Sequence, residues 1–428
     1  MEAEPSEELQ GAKRSHVSLA KTPVRMGTGQ AGLSERSPTT DQIILHLDMD
    51  CFFVACERRR EPSLIGEPVV IGGGFDADSP RGAVATASYE AREYGVHSAQ
   101  PIAQALAQLP RRDPAADNPE PNTGIYLKGD HEYYRDVSEA VMEIVAEYSE
   151  TRQQVSIDEV YLDLTATTSW AEVEGVVQEL RDRIETEVGV VASVGVAPTK
   201  SCAKVASDYN KPDGSCIVHP GEVADFFAPL EIDVVHGVGP VTADRFRNAG
   251  IETAGELAAL PPQEVVAKFG SNATTLHDRV RGIDPRPVEP RGDPKSISKE
   301  QSISPTTDMT TKESVVRQLT DQVNRRVARQ DARYRTVGIK VVATPFEVNT
   351  RERSLHGPVR EPAIVEEITQ DLLTEFAETE VRKLGVRVSN LDFSPGDQRR
   401  LTGIDSQTTE EPRSPRQRLG QTRLTDFT

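Results

Sequence analysis

The sequence predicts a multidomain α+β protein, and three observations carry that prediction. Its 428 residues exceed what one average core of roughly 100–200 residues organises. Between residues 43 and 196 the apolar periodicity runs β-α-β-β-α-β, the ferredoxin-like order, with a long insertion after the first strand. A stretch at 284–294 with four prolines then separates this half from a second α/β unit, as a linker would.

The elements follow in order. Ile43, Ile44, Leu45, His46 and Leu47 form a short apolar run that closes on Asp48, Met49 and Asp50, the pattern of a buried strand. A helix is expected over 51–60, with the arginines at 58–60 completing its C-terminus. The insertion then offers a strand at 68–71, a glycine-rich connection through 72–82, a small-residue strand at 83–87 and a helix at 89–94. A polar, proline-bearing surface loop follows at 111–123. Val137, Val141, Ile144, Val145 and Tyr148 make one apolar helix stripe, and Trp170, Val173, Val177, Leu180, Ile184 and Val188 make another. Strands are expected at 154–157, 160–164 and 190–196, with Asp158 and Glu159 at the first junction. In this topology the first strand and that hairpin are neighbours in one sheet. Asp48 and the Asp158-Glu159 pair should therefore converge. Short helices and Gly-bearing turns fill 234–260. The second unit carries strands near 296–303, 335–343, 348–355 and 384–391 and helices near 312–329 and 361–376.

Composition narrows the class. No apolar run approaches the ~20 residues that span a bilayer, so no membrane partner is expected. Residues 1–40 and 394–428 are polar and are expected to be a disordered arm and a flexible tail. Cys51, Cys56, Cys202 and Cys216 show no metal or disulfide spacing, which fits a reducing cytoplasm. The net charge of -19 points away from nucleic acid. A salt-rich cytoplasm reconciles that charge with DNA contacts made locally at short range.

Three carboxylates at two strand ends suit two hard cations such as Mg²⁺, which take oxygen ligands and keep sites for substrate phosphates. An isolated Asp at a strand end is more often a solvated turn residue; the predicted convergence is what shifts the balance. Asp50, at the end of the same run, is not assigned to the metals.

Four ordered segments, LDMDCFF at 47–53, ATASYEAR at 85–92, SIDEVYLD at 156–163 and SDYNKP at 207–212, resemble the signature segments of the Y-family DNA polymerases. The resemblance implies a palm at 41–51 and 130–218, fingers at 52–129 and a helix-hairpin-helix thumb at 219–285. A linker at 286–295, a little finger at 296–393 and a tail at 394–428 would complete the chain. It implies Asp48, Asp158 and Glu159 as catalytic metal carboxylates for two Mg²⁺ per site, with the Met49 carbonyl as a further ligand. Phe53 would be the steric gate against ribonucleotides. Tyr89, Arg92 and Lys211 would hold the incoming triphosphate, and Gly82 and Ala83 would sit over the nascent base pair. Read without the resemblance, Phe53 and Tyr89 are core residues, Arg92 a surface ion pair, Lys211 a solvated loop residue and Gly82-Ala83 a tight turn.

For DNA binding, Gly237 and Gly239 resemble a helix-hairpin-helix turn whose N–H groups grip a phosphate, although an ordinary helix cap is the plainer reading. In the second unit Arg351 and Arg353 share a face, as do Lys383 and Arg387. Arg351, Arg353 and Arg387 are expected DNA contacts, against the alternative of a solvated sheet face. Gln421, Leu424 and Phe427 match the Q-x-x-L-x-x-F pattern that plugs into a PCNA-type sliding clamp; Thr428 departs from its usual second aromatic. The expected protein is a monomeric, cytoplasmic, error-prone DNA polymerase for translesion synthesis, acting on primer-template DNA and deoxynucleoside triphosphates. A catalytically silent DNA-binding scaffold and a palm-fold nucleotide cyclase are the rivals.

Overall fold

A computed structural model of the chain describes residues 41–75, 80, 82–113 and 120–394; the clamp-motif residues Gln421, Leu424 and Phe427 and the 1–40 arm lie outside them. The first strand, β1 (Ile44–Met49), is buried along its whole length. Such a strand needs apolar side chains on both faces, and the ILHL run supplies most of them. α1 (Phe52–Arg60) follows at once. The insertion folds as a small sheet of β2 (Val69–Gly72), β3 (Thr86–Ala87) and β4 (Ile125–Lys128), in the order β3-β2-β4, with α2 (Tyr89–Arg92) and α3 (Ile102–Gln108) between its strands. The strand expected over 83–87 shrinks to two residues, because Ala83 bridges to Pro101 instead of extending the ladder.

The chain then returns through α4 (His131–Ala146), β5 (Arg152–Gln154), β6 (Glu159–Asp163), α5 (Val173–Arg183), β7 (Ala192–Ala197), α6 (Lys200–Tyr209) and β8 (Ser215–Ile217). The sheet order is β5-β6-β1-β7-β8, so the four ferredoxin-like strands take the expected places and β8 adds a parallel edge. α6 and β8 were not foreseen. One sheet face carries Leu45, Leu47 and Met49 and packs on α4 and α5 through Val137, Val141, Val177 and Leu180. The other presents Ile44 and Tyr161, which pack with Cys202, Ala203 and Ala206 of α6. That second core runs on into the short helices α7 (Val223–Phe227), α8 (Pro240–Arg247), α9 (Ala254–Ala259), α10 (Pro262–Phe269) and α11 (Asn272–Val280).

The last unit is an antiparallel sheet of β9 (Ser296–Thr306), β10 (Tyr334–Ala343), β11 (Glu347–Val359) and β12 (Val381–Ser389), ordered β11-β10-β12-β9. α12 (Met309–Arg329) and α13 (Pro362–Leu373) cover one face. Val337, Ile339, Val341, Leu384, Val386 and Val388 point into that core, which leaves the alternate positions on an open face. No helix among the described residues is long and apolar enough to cross a membrane.

Candidate active site

Register brings the predicted carboxylates together. In the β1–β6 ladder Asp48 stands directly opposite Glu159, and the Met49 N–H donates to the Asp158 carbonyl at 3.0 Å. Opposed residues in an antiparallel pair project to the same side, so the two side chains share the face that α6 covers. Two ammonium groups meet them there. Lys204 Nζ lies 2.7 Å from Asp48 Oδ2 and 2.8 Å from Glu159 Oε1, and Lys211 Nζ lies 2.6 Å from Asp48 Oδ1. Asp208 binds both lysines from the end of α6, at 3.2 and 2.9 Å.

The charges divide unevenly. Burial works to raise the Asp48 carboxyl, but the Lys204 and Lys211 charges outweigh it and hold Asp48 well below the usual carboxylate range. Burial pushes Glu159 up to about 7, helped by the adjacent Asp48 charge and only partly countered by Lys204. Asp158 is also raised by burial, against the hydrogen bond from the Ser156 hydroxyl. Burial opposes the charged form of both lysines, yet the surrounding carboxylates raise them.

As they stand the carboxylates are not a closed ligand cage. Among the described residues no three acidic, histidine or cysteine side chains converge on one point. Lys204 stands between Asp48 and Glu159, and Ser156 engages Asp158. The donor set nonetheless fits a hard divalent cation. It is all oxygen, it is largely buried, and its negative charge already attracts two cations.

Asp50 is held elsewhere: it accepts from Ser193 Oγ and the Asp213 N–H, both at 2.8 Å, and from the Tyr89 hydroxyl at 3.3 Å. Tyr89 opens α2, capped by Ser88, whose hydroxyl accepts from the Ala91 N–H. The Arg92 guanidinium lies 4.6 Å over the Tyr89 ring and donates to the Ala87 carbonyl. Lys211 is therefore at the carboxylates, while Tyr89 bonds Asp50 and Arg92 packs on the Tyr89 ring. Phe53, half-buried on α1, stacks on Tyr134. Gly82, at a φ of 86°, and Ala83 are both exposed; only a residue without Cβ takes that turn without strain.

Gly237 also has positive φ, 101°. A Cβ there would come within 2.8 Å of Arg279 Nη1, which donates to the His236 carbonyl. Gly239 is the N-cap of α8 with no side-chain cap bond, a form that an ordinary helix cap and a phosphate-gripping turn share. The arginines of the last sheet separate. Arg351 and Arg353 lie on the helix-covered side, bound to Glu375 and Asp371, and Arg351 sits over the Phe376 ring. Arg387 is exposed beside Gly338 and Ser298 on the open side, and Lys383 shares that side, 3.4 Å from Glu300.

The sequence reading missed Lys204 and Asp208. Their spacing with Lys200 and Lys211, at intervals of three and four, was the available signal.

Residues 47–208 match the model of the impB/mucB/samB family, and residues 294–403 match that family's C-terminal domain. DNA polymerase IV of Halobacterium salinarum is 50% identical over 371 residues, 86% of this chain and 90% of that one. The chain belongs to the Y-family DNA polymerases. It is similar also to DNA polymerase IV of Methanoculleus marisnigri, 39% identical over 83% of this chain and 96% of the relative. Among solved structures, a Y-family Dbh–Dpo4 chimera is 24% identical, with a TM-score of 0.71 over 82% of this chain and all of that one. DinB from Sulfolobus solfataricus, also 24% identical, has a TM-score of 0.56 over 82% of this chain and 99% of its own. These two likenesses concern the fold. This polymerase is a DNA-directed DNA polymerase of the translesion class.

Proposed function

We propose that this polymerase extends a primer on template DNA by two-metal nucleotidyl transfer at Asp48, Asp158 and Glu159. One observation carries the reading: Asp48 and Glu159 face each other in register with two ammonium groups drawn to them. Two Mg²⁺ held by these carboxylates and the Met49 carbonyl would activate the primer 3′-hydroxyl and neutralise the departing pyrophosphate. Lys204 gives way on loading and keeps Asp208 as its partner. Lys211, Tyr89 and Arg92 bind the triphosphate oxygens, the lysine as a point charge and the arginine as a fork. Phe53 faces C2′ of the sugar and excludes a 2′-hydroxyl. Gly82 and Ala83 leave space above the new base pair.

DNA is held by backbone N–H groups of the Gly237-Gly239 turn and by the open face of the last sheet, where Arg387 stands exposed. Arg351 and Arg353 reach DNA only by giving up Glu375 and Asp371. The partition into palm, fingers, thumb, linker and little finger follows the ranges expected from the sequence. The tail recruits a PCNA-type sliding clamp through Gln421, Leu424 and Phe427, and the enzyme acts as a cytoplasmic monomer.

Primer extension tests the core of this reading. Full-length protein with Mg²⁺ and the four deoxynucleotides should lengthen a primer according to its template. The Asp158→Ala/Glu159→Ala variant should lose at least about a hundredfold in rate. Template-dependent extension that survives in that variant would remove the proposed site. A scaffold would extend nothing, and a cyclase would consume triphosphate without lengthening the primer.

A further inference from the structure

We propose that Tyr134, tethered by Glu57 and flanked by His131, is a positioning residue for sugar selection because it fixes the ring of Phe53. The proposal rests on the reading of Phe53 as the residue that faces C2′. Selection against a 2′-hydroxyl requires a side chain that cannot retreat. A lone half-buried phenylalanine can pivot about its side-chain torsions and slide, and a displacement of about 1 Å is enough to change a rate by orders of magnitude.

The structure removes that freedom. Phe53 and Tyr134 stack nearly flat, with ring centroids 4.6 Å apart and planes 16° from parallel. His131 closes the corner edge-on to both rings, 5.4 Å from Phe53 at 85° and 5.9 Å from Tyr134 at 79°. Aromatic pairs in these two geometries are favoured beyond simple burial, because each sets the positive ring edge against a negative face or offsets the two faces.

Tyr134 is itself held on two sides. It is fully buried, and its hydroxyl donates at 2.6 Å to Glu57 Oε1. Glu57 is also buried and lies one turn beyond Phe53 on α1. The tether therefore returns to the helix that carries Phe53. Gate, stack and tether form a closed loop between α1 and α4, in which moving Phe53 away from the sugar means separating a packed ring pair or straining a buried hydrogen bond. None of these supporting residues touches the carboxylates or the lysines that face them, so their effect should fall on the sugar rather than on the chemical step.

The test compares kcat/KM for a ribonucleotide and the matching deoxynucleotide in the full-length protein and four variants. Phe53→Ala reports on the gate itself and should raise the ribo-to-deoxy ratio most. Tyr134→Leu, which removes the flat stack, should raise it by about tenfold. His131→Ala, at an exposed position that folding tolerates, should raise it several-fold. Tyr134→Phe, which keeps the ring and loses the tether, should raise it less. Deoxynucleotide kcat/KM should stay within about threefold of the parent in the Tyr134 and His131 variants. If Phe53→Ala raises the ratio while Tyr134→Leu, Tyr134→Phe and His131→Ala leave it unchanged, the inference is overturned and the gate reading stands. If Phe53→Ala leaves the ratio unchanged, the gate reading falls and the inference with it. Should Tyr134→Leu not fold, the His131→Ala and Tyr134→Phe ratios decide by the same criterion.

Discussion

On the proposed reading, Glu159 is the ligand whose protonation governs loading of the site. Its carboxyl, raised to about 7 by burial and by the Asp48 charge, is protonated below that pH, whereas a divalent cation needs it ionised. Loading through Glu159 would then release a proton, and the Mg²⁺ requirement should climb as pH falls through 7, by up to about tenfold per unit for one linked proton. Half-saturating Mg²⁺ for primer extension should be clearly higher at about pH 6 than at about pH 8; a flat profile would mean that Glu159 is not a ligand. The convergence of Asp48 with Glu159 was legible in the sequence because strand order and register follow from apolar alternation. Lys204 was not. It sits on a helix whose buried side is made of small residues such as Cys202, Ala203 and Ala206, and such a stripe is faint in hydropathy.

The element that matters most to this site is α6. It supplies Lys204 and leads directly to Lys211. It is tied to β1 by the 2.8 Å bond between His46 Nδ1 and Ser207 Oγ, and its backbone lies closely against β7 at Gly195. At Gly195 an added Cβ would be 2.1 Å from the Ala203 carbonyl oxygen and 2.2 Å from the Ser207 nitrogen. Gly195→Ala must therefore push the helix outward. The expected cost is about 3 kcal/mol of stability in urea unfolding, with a drop in primer extension because both lysines move. A fully active Gly195→Ala variant would show that α6 does not set the site. The last sheet gives a second case. Alternation told from the sequence which arginines share a face, but which face the helices cover depends on the β10–β11 pairing, and that lies in no local pattern. Arg387→Ala should weaken DNA binding by about 1 kcal/mol and lower its salt dependence, with a smaller effect for Arg353→Ala, which is already neutralised by Asp371. The reverse order, measured by anisotropy titration, would place DNA on the helix side.

At the scale of the whole molecule, a net charge of -19 sets two requirements that salt meets together. Like charges spread over the surface repel one another and the DNA, and both repulsions are long-ranged at about 0.1 M salt, where the screening length is about 10 Å. At about 1 M it falls to about 3 Å, so the repulsions fade while contacts made within a hydrogen bond's length survive. Backbone N–H groups, the role proposed for the Gly237-Gly239 turn, bind phosphate without adding positive charge. The protein should thus gain thermal stability as KCl rises from about 0.1 to about 2 M, where screening removes self-repulsion. Its DNA affinity should fall with a log–log slope no steeper than about -3, since the proposed contacts use few basic side chains to displace counterions. A slope near -6 or steeper, with a melting temperature that drops in KCl, would mean that phosphate neutralisation by basic side chains dominates, and the short-range picture of DNA contact would be wrong.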